Sequence, residues 1–445
     1  MHKRVGNLAA SQALPYEAAH SLSRGTEPLS GKESIYAEVR RRCTDYLVAN
    51  VEQNGFIRAS RTYPRYGMHW IRDSSMVALA LFTTGDTRAI EAARRINTFN
   101  MMVIEKHIGG IVKGLQMPAE SREYFHLEHH LPPKVDRSGQ LFCGELRTNG
   151  NKVFVDDTRL VASDCGFRQI DSIPLILMSI NAEQNTVGLT ARSRFFLRTR
   201  LPTLLSYMGK SYVMEAGNAW EIGHDRIHAY NVAAVHSGIN AARNLTRQGL
   251  TGINDGDINR LIVFSPDYSG PIDFLARHFV KDGILYRQML PFSTIPETSQ
   301  GVDASMAYMF TMFGVTDAAM RTPGVVASTI EAIENTLYRK NMMPIRFVDD
   351  VYFTGGNWIP PGLQFATYYA HHGEVNKARE AFDYVIRKYG HRFPEQELVN
   401  PANPRSDHEG FLAENLGRPI GELAWAYADM IRLCNALEEV GTVSL

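Results

Sequence analysis

Pro360-Pro361-Gly362-Leu363-Gln364-Phe365-Ala366-Thr367-Tyr368-Tyr369-Ala370-His371-His372-Gly373 opens on two prolines and closes on a glycine. Proline suits the first turn of a helix, where its missing N–H is no loss, and glycine suits the turn that ends one. The stretch therefore predicts a helix from Leu363 to His371. Val375 to Tyr389 continues with helical periodicity and is closed by Gly390. Two helices joined by so short a turn must lie antiparallel. The same rhythm stands near the start of the chain. Ile35, Val39, Tyr46, Leu47 and Val51 recur at helical steps, Ser74 to Phe82 is a dense apolar helix stopped by Thr84-Gly85-Asp86, and Arg88 to Met102 resumes the period. Between these pairs the pattern predicts helices at about 171–182, 192–208, 226–246, 272–280, 302–314 and 324–339, with a last one at about 421–440. Strand-like pieces such as Lys152-Val153-Phe154-Val155 are short and isolated. Eleven or twelve helices with no Pro/Ser-rich linker predict one all-α domain of paired helices over residues 33–445. Such pairs stack into a solenoid or close into a toroid, and both fit the period.

Composition narrows the function classes. Of 445 residues, 47 are Lys or Arg and 47 are Asp or Glu, so no charge excess favours nucleic acid or an anionic membrane. A neutral ligand suits this balance better. No run approaches the roughly 18–20 apolar residues of a membrane span. The segment 1–32 mixes Ser, Gly, Pro and charges and reads as a flexible N-terminal arm without the apolar core of a secretory signal. The four cysteines, Cys43, Cys143, Cys165 and Cys434, show no CxxC spacing and read as free thiols, from which a cytoplasmic protein is expected. His129-His130, His371-His372 and His224, His228, His236 raise the question of a metal. No HExxH accompanies them, and no Walker or dinucleotide fingerprint is present, so neither metal nor cofactor is expected.

Four segments carry chemistry. Tyr63 to Asp73 gathers Tyr66, Trp70, Arg72 and Asp73 ahead of the Ser74 helix. Aromatic faces stack on sugar rings, and Arg and Asp bond vicinal hydroxyls. Helix capping by Asp73 or Ser74 explains the acidic end of the segment equally well. Arg346 to Trp358 has the same character, with Gly355-Gly356 allowing a tight turn. Glu221 follows Trp220, whose indole desolvates a neighbouring carboxyl and favours its protonated form. Glu414 lies in Leu412-Ala413-Glu414-Asn415, ahead of Trp425. Taken singly, either glutamate reads as an ordinary surface or helix-terminal acid.

Taken in order, the segments resemble glycoside hydrolase family 15, the glucoamylase-like family. The family's W-x-R-D segment matches Trp70-Ile71-Arg72-Asp73, and its Q-x-D loop matches Gln169-Ile170-Asp171. Its W-E segment matches Trp220-Glu221, and its R…D-x-Y…W segment matches Arg346, Asp350-Val351-Tyr352 and Trp358. Its late L-x-E-Q, followed by a W-[SA]-[YH] helix, matches Leu412-Ala413-Glu414-Asn415 with Trp425-Ala426-Tyr427. The resemblance covers about residues 35–440. It implies an (α/α)6 toroid and exo-acting, inverting hydrolysis of α-glucosides. Glu221 would be the general acid and Glu414 the general base, with carboxyls roughly 6.5–9.5 Å apart to admit a water. Arg72 and Asp73 would grip the terminal sugar with Arg346 and Trp358. Tyr66, Trp70 and Tyr352 would shape the pocket, and Gln169 and Asp171 would line it.

Two positions depart from the family pattern. Ile222 stands where starch-degrading members carry a second acid, and Asn415 stands where Gln is usual, which leaves Glu409 as the alternative base. With no starch-binding module in the sequence, these features point to short oligosaccharides as the partner, α-1,6-linked ones such as isomaltose among them. A trehalase, an α-1,4-preferring glucoamylase and a non-catalytic glucan-binding protein are the competing readings. Oligomeric state is not legible.

Overall fold

The computed structural model describes residues 34–62, 66–117, 129–141, 168–220, 226–262, 268–289, 301–338, 343–348, 350, 355–397 and 420–443, and the backbone of 146–149 and 152–155. The expected arm 1–32 lies outside them. Fourteen helices are described: α1 Ile35–Asn50, α2 Ile71–Leu81, α3 Thr87–Gln116, α4 Ser172–Val187, α5 Ala191–Ser211, α6 Ala229–Arg247, α7 Asp255–Ile262, α8 Pro271–Phe279, α9 Met306–Thr311, α10 Asp317–Met320, α11 Val325–Leu337, α12 Ile359–His371, α13 Val375–Tyr389 and α14 Ala424–Val443.

Six of them form a closed inner ring. Helix α2 packs on α4, α4 on α6, α6 on α9, α9 on α12, α12 on α14, and α14 returns to α2. Burial separates this ring from the outer layer. Every residue of α12 from Ile359 to Ala370 is buried, whereas α13 buries only Ala378, Ala381, Phe382 and Val385, a single stripe at helical spacing. The helices α1, α3, α5, α7, α8 and α11 are likewise buried over part of their surface only. The chain is thus an (α/α)6 toroid. Closure is the feature that periodicity left open. It is made by the last helix, α14, packing on both α1 and α2.

Close approach in the inner ring depends on glycine. A Cβ on Gly238 of α6 would stand 2.6 Å from the Pro174 Cα of α4. The inner helices also start in an unusual way. Trp70, His228 and Trp358 each precede an inner helix with extended backbone and no side-chain cap. Each belongs to a two-residue strand paired with a returning one: β1 His69–Trp70 with β2 Lys134–Val135, β5 Ile227–His228 with β8 Gln288–Met289, and β9 Asn357–Trp358 with β10 Gln396–Glu397. The first helical amide is then satisfied by the carbonyl just before the returning strand. Ile71 N donates to Pro133 O at 3.0 Å, Ala229 N to Arg287 O at 2.9 Å and Ile359 N to Glu395 O at 3.1 Å. A bridge between Ser60 and Leu423, with Ala424 N donating to Ala59 O at 2.8 Å, repeats the device at α14. These contacts satisfy buried helix-end donors that would otherwise be orphaned.

Several boundaries differ from the periodic reading. Helix α2 begins at Ile71, so Arg72 and Asp73 lie inside its first turn and neither Asp73 nor Ser74 caps it. Helix α3 runs through Gly109-Gly110 to Gln116, because outer helices gain enough from packing to tolerate glycine. Helix α12 takes both prolines into its first turn. The isolated strand at Lys152–Val155 pairs with Leu146–Asn149 (the β3–β4 hairpin), and β6 Val280–Lys281 pairs with β7 Ile284–Leu285. No described helix is long and apolar enough to cross a membrane.

Candidate active site

All four tryptophans of the chain meet at one end of the toroid. Trp70, Trp220, Trp358 and Trp425 line an open cavity of about 110 Å³ together with Tyr66, Arg72, Asp73, Arg346, Pro360, Glu395 and Leu423 among the described residues. The N-terminal ends of α2, α12 and α14 supply Trp70, Trp358, Pro360, Leu423 and Trp425, so the bridged helix starts are also what builds the pocket wall. Helix N-termini carry partial positive charge, which favours carboxylates placed beside them. A second opening, at the other ends of α9 and α12, is lined by Arg40, Gln364, His371, Arg432 and Glu438 and by no Trp, Tyr or Phe among the described residues.

The aromatic walls are ordered by stacking and by cations. The Trp220 and Trp358 rings lie 5.1 Å apart at 55°. The Arg346 guanidinium sits 4.6 Å from the Trp358 centroid and 5.8 Å from that of Trp220. Its fork is engaged by Asp350, with Nε donating at 2.8 Å and Nη2 at 2.5 Å. Tyr66 and Trp70 rings lie 5.8 Å apart, and the Lys134 ammonium stands 5.0 Å over Trp70. The buried indole nitrogens of Trp70 and Trp425 make no hydrogen bond among the described residues. Such donors suit a ligand rich in hydroxyls.

Arg72 has a larger structural share than its motif implies. It is 2% exposed and ion-pairs with the fully buried Asp171 through Nε and Nη2. Its Nη1 donates to Ala219 O at 2.9 Å and its Nη2 to Asn218 O at 3.3 Å. One guanidinium therefore ties α2 to the start of α4 and to the backbone leading into Trp220. Trp220 is held further by its amide, which donates to Asn218 Oδ1 at 2.9 Å, and by its indole N–H, which donates to Asp303 Oδ1 at 2.8 Å. Burial raises the Asp303 carboxyl above the usual range, opposed by its bond from Ser305 and by the nearby Arg287 charge.

The structure brings Tyr66, Trp70, Arg72, Asp73, Trp220, Arg346 and Trp358 together at the cavity. Gln169 and Asp171 are buried and are not among the lining residues; Asp171 reaches the site through Arg72. Glu221, Tyr352, Glu414 and Glu409 lie outside the described residues, as does His224 of the histidine trio.

Glu395 is the residue that the sequence reading missed. It is 6% exposed, lines the cavity, and its Oε1 accepts from the Tyr66 hydroxyl at 3.3 Å. Its amide donates to Ile420 O at 2.8 Å and its carbonyl accepts from Ile359, so its backbone is clamped between the starts of α12 and α14. A signal was present: Phe393-Pro394-Glu395-Gln396 carries the Glu-Gln pair that Leu412-Ala413-Glu414-Asn415 lacks. Trp425 was legible as a helix motif but not as part of the wall.

No protein-family model and no curated protein matches the chain. Solved structures do. A glycosidase variant in complex with glucose aligns with TM-score 0.68 at 19% identity, over 96% of this chain and 99% of that one. The glycoside hydrolase family 15 glucoamylase of Hypocrea jecorina aligns with TM-score 0.55 at 15% identity, over 91% of this chain and 72% of that one. The glucoamylase of Saccharomycopsis fibuligera aligns with TM-score 0.56 at 13% identity, over 93% and 98%. At these identities the likeness is one of fold. The chain has the closed (α/α)6 toroid of glucoamylase-type glycosidases, with an aromatic, carboxylate-bearing pocket at the N-terminal ends of its inner helices.

Proposed function

We propose that this protein is an exo-acting, inverting glycoside hydrolase that releases β-D-glucose from the non-reducing end of short α-linked oligosaccharides. The observation that carries the reading is the cavity itself. Four tryptophans, the buried Arg72, Asp73 and Arg346 and a buried glutamate converge there, and the residue after Trp220 is a second glutamate. Aromatic faces with polar groups between them suit a neutral sugar, and two carboxyls suit its glycosidic bond.

Glu221 is assigned as the general acid that protonates the leaving oxygen. The base is assigned to Glu395 in place of Glu414. Glu395 keeps the Glu-Gln pair of the family pattern, and its carboxyl lies in the cavity with a hydroxyl donor on it. It would take a proton from the water that attacks the anomeric carbon on the face opposite the departing oxygen. Asp73 and the indole N–H groups of Trp70 and Trp425 would bond the hydroxyls of the terminal sugar. Ile222, where an acid would contact the leaving sugar of starch, supports a short substrate and isomaltose as its type. The cytoplasm is the proposed compartment.

The test is turnover of isomaltose, maltose, trehalose and soluble starch, with the released anomer followed by NMR. β-Glucose formed first from isomaltose is expected; α-glucose formed first would refute the inverting assignment, and equal turnover of starch would refute the size preference. General acid–base groups contribute roughly 10²–10⁴-fold. Glu221→Gln and Glu395→Gln should each lose that much in kcat, and Glu414→Gln should not. The reverse pattern for Glu395 and Glu414 would return the base to Glu414.

A further inference from the structure

Trp220 differs from its companions in the pocket. The indole nitrogens of Trp70 and Trp425 meet no acceptor among the described residues, whereas that of Trp220 donates to Asp303. Its acceptor, Asp303, is 1% exposed and lies 83 positions away in the short loop that starts α9. The same oxygen, Oδ1, also accepts from Ser305 N at 2.7 Å, which fixes the carboxyl plane against its own backbone. The loop is anchored independently, for Ala304 N donates to Arg346 O at 2.7 Å and Arg287 N donates to Gly301 O at 3.0 Å. One loop thus braces two pocket walls, the Trp220 indole and the backbone of Arg346. Capping Ser305 alone does not call for a buried acid, since a Ser or Thr hydroxyl serves as well without the desolvation of a carboxylate. The bond to Trp220 does.

We propose that Asp303 is a positioning residue, which holds the indole of Trp220, the residue that precedes Glu221 in the chain, by its N–H. The proposal rests on the assignment of Glu221 as general acid. Asp303 touches no substrate; it acts through Trp220, whose main chain is pinned at its other side by Asn218 and, through Ala219, by Arg72. The indole of Trp220 cannot rotate without breaking the Asp303 bond or the ring contact with Trp358. A misplacement of about 1 Å in a catalytic group costs about 10²-fold in rate, so a lost anchor should appear in kcat and not in KM.

The experiment compares Asp303→Leu, Asp303→Asn, Trp220→Phe and Trp220→Phe/Asp303→Leu with wild type on isomaltose. The protein is labelled with ¹⁵N-tryptophan so that its four indole signals are seen by NMR. D303L should lower kcat by about 10²-fold with KM little changed, shift the signal that W220F removes, and speed its hydrogen exchange. D303N keeps an oxygen at the same place and should retain at least about tenfold more kcat than D303L, the equivalent of about 1.4 kcal/mol. The double variant should fall no further than W220F. An unmoved Trp220 signal in D303L, or losses that multiply in the double variant, would overturn the proposal. Should D303L fail to fold, D303N and W220F decide: D303N must exceed W220F in kcat, and equality overturns the inference. A wild type inactive on every α-glucoside would sink the functional reading, while the indole signals still report whether Asp303 anchors Trp220.

Discussion

Replacing Arg72 by methionine separates what holds the site from what reads the sugar. Among the described residues the guanidinium donates twice to Asp171 and once each to the carbonyls of Asn218 and Ala219. Its removal leaves a fully buried carboxylate with no cation, a change that costs about 3–5 kcal/mol in comparable buried pairs. The two orphaned carbonyls add to this, at about 1–3 kcal/mol for each that water cannot reach. A destabilisation of at least about 3 kcal/mol is therefore expected for R72M in urea unfolding followed by fluorescence. Arg72→Met/Asp171→Leu removes both charges and substitutes apolar volume, so it should recover at least about 2 kcal/mol of that loss. Activity should follow a different course. Neither variant anchors the Asn218–Ala219 backbone, so the double variant should regain stability without regaining kcat. A cost below about 1 kcal/mol for R72M, or a double variant that recovers turnover together with stability, would refute the account of Arg72 as the link between α2, α4 and the Trp220 segment.

Three further outcomes follow from the same geometry. Because every tryptophan of the chain lines the cavity, titrating isomaltose into the E395Q variant should change intrinsic emission; silent emission at calorimetric saturation would mean the sugar binds elsewhere. His69 is fully buried, accepts from Ile57 N at 3.1 Å and shares its other nitrogen with Asn100, and burial pushes its pKa down to about 4. The unfolded chain then binds the extra proton first, so stability is present above about pH 6.5 and is lost as pH falls towards 4, by about 3 kcal/mol; a wild type and His69→Gln that lose stability in parallel over that range would contradict this. Gly238→Ala should destabilise by about 1–3 kcal/mol in spite of its better helix propensity, because the added Cβ meets the Pro174 backbone; an unchanged or raised Tm would show that α4 and α6 move apart freely.

Much of the toroid was readable in advance because helices announce themselves locally. The hairpin Ile359–Tyr389 is written in its prolines, its Gly373 turn and the stripe Ala378, Ala381, Phe382, Val385, all within thirty residues. The exceptions are instructive. Asp73 beside Ser74 is a good capping sequence, yet α2 starts earlier, because Pro133, just before the distant strand β2, supplies the acceptor for the first amide. The site divides in the same way. Trp70, Arg72, Asp73, Trp220, Arg346 and Trp358 carry aromatic and charged chemistry in recognisable segments, and they meet. Glu395 is not marked by its neighbours, since Phe393-Pro394-Glu395-Gln396-Glu397 reads locally as a polar turn.

By itself, then, the sequence determined that this chain is a set of helical pairs and which segments gather the aromatic and charged side chains of the cavity. Both properties rest on interactions between residues a few positions apart. Only the tertiary structure decided that the pairs close into a ring, since closure is made by α14 against α1 and α2, elements separated by almost the whole chain. It also decided that Glu395 faces the pocket and that Asp303 holds Trp220. Those roles come from a bridged carbonyl at the head of α12 and from an indole 83 residues away, and no local pattern encodes a partner at that distance.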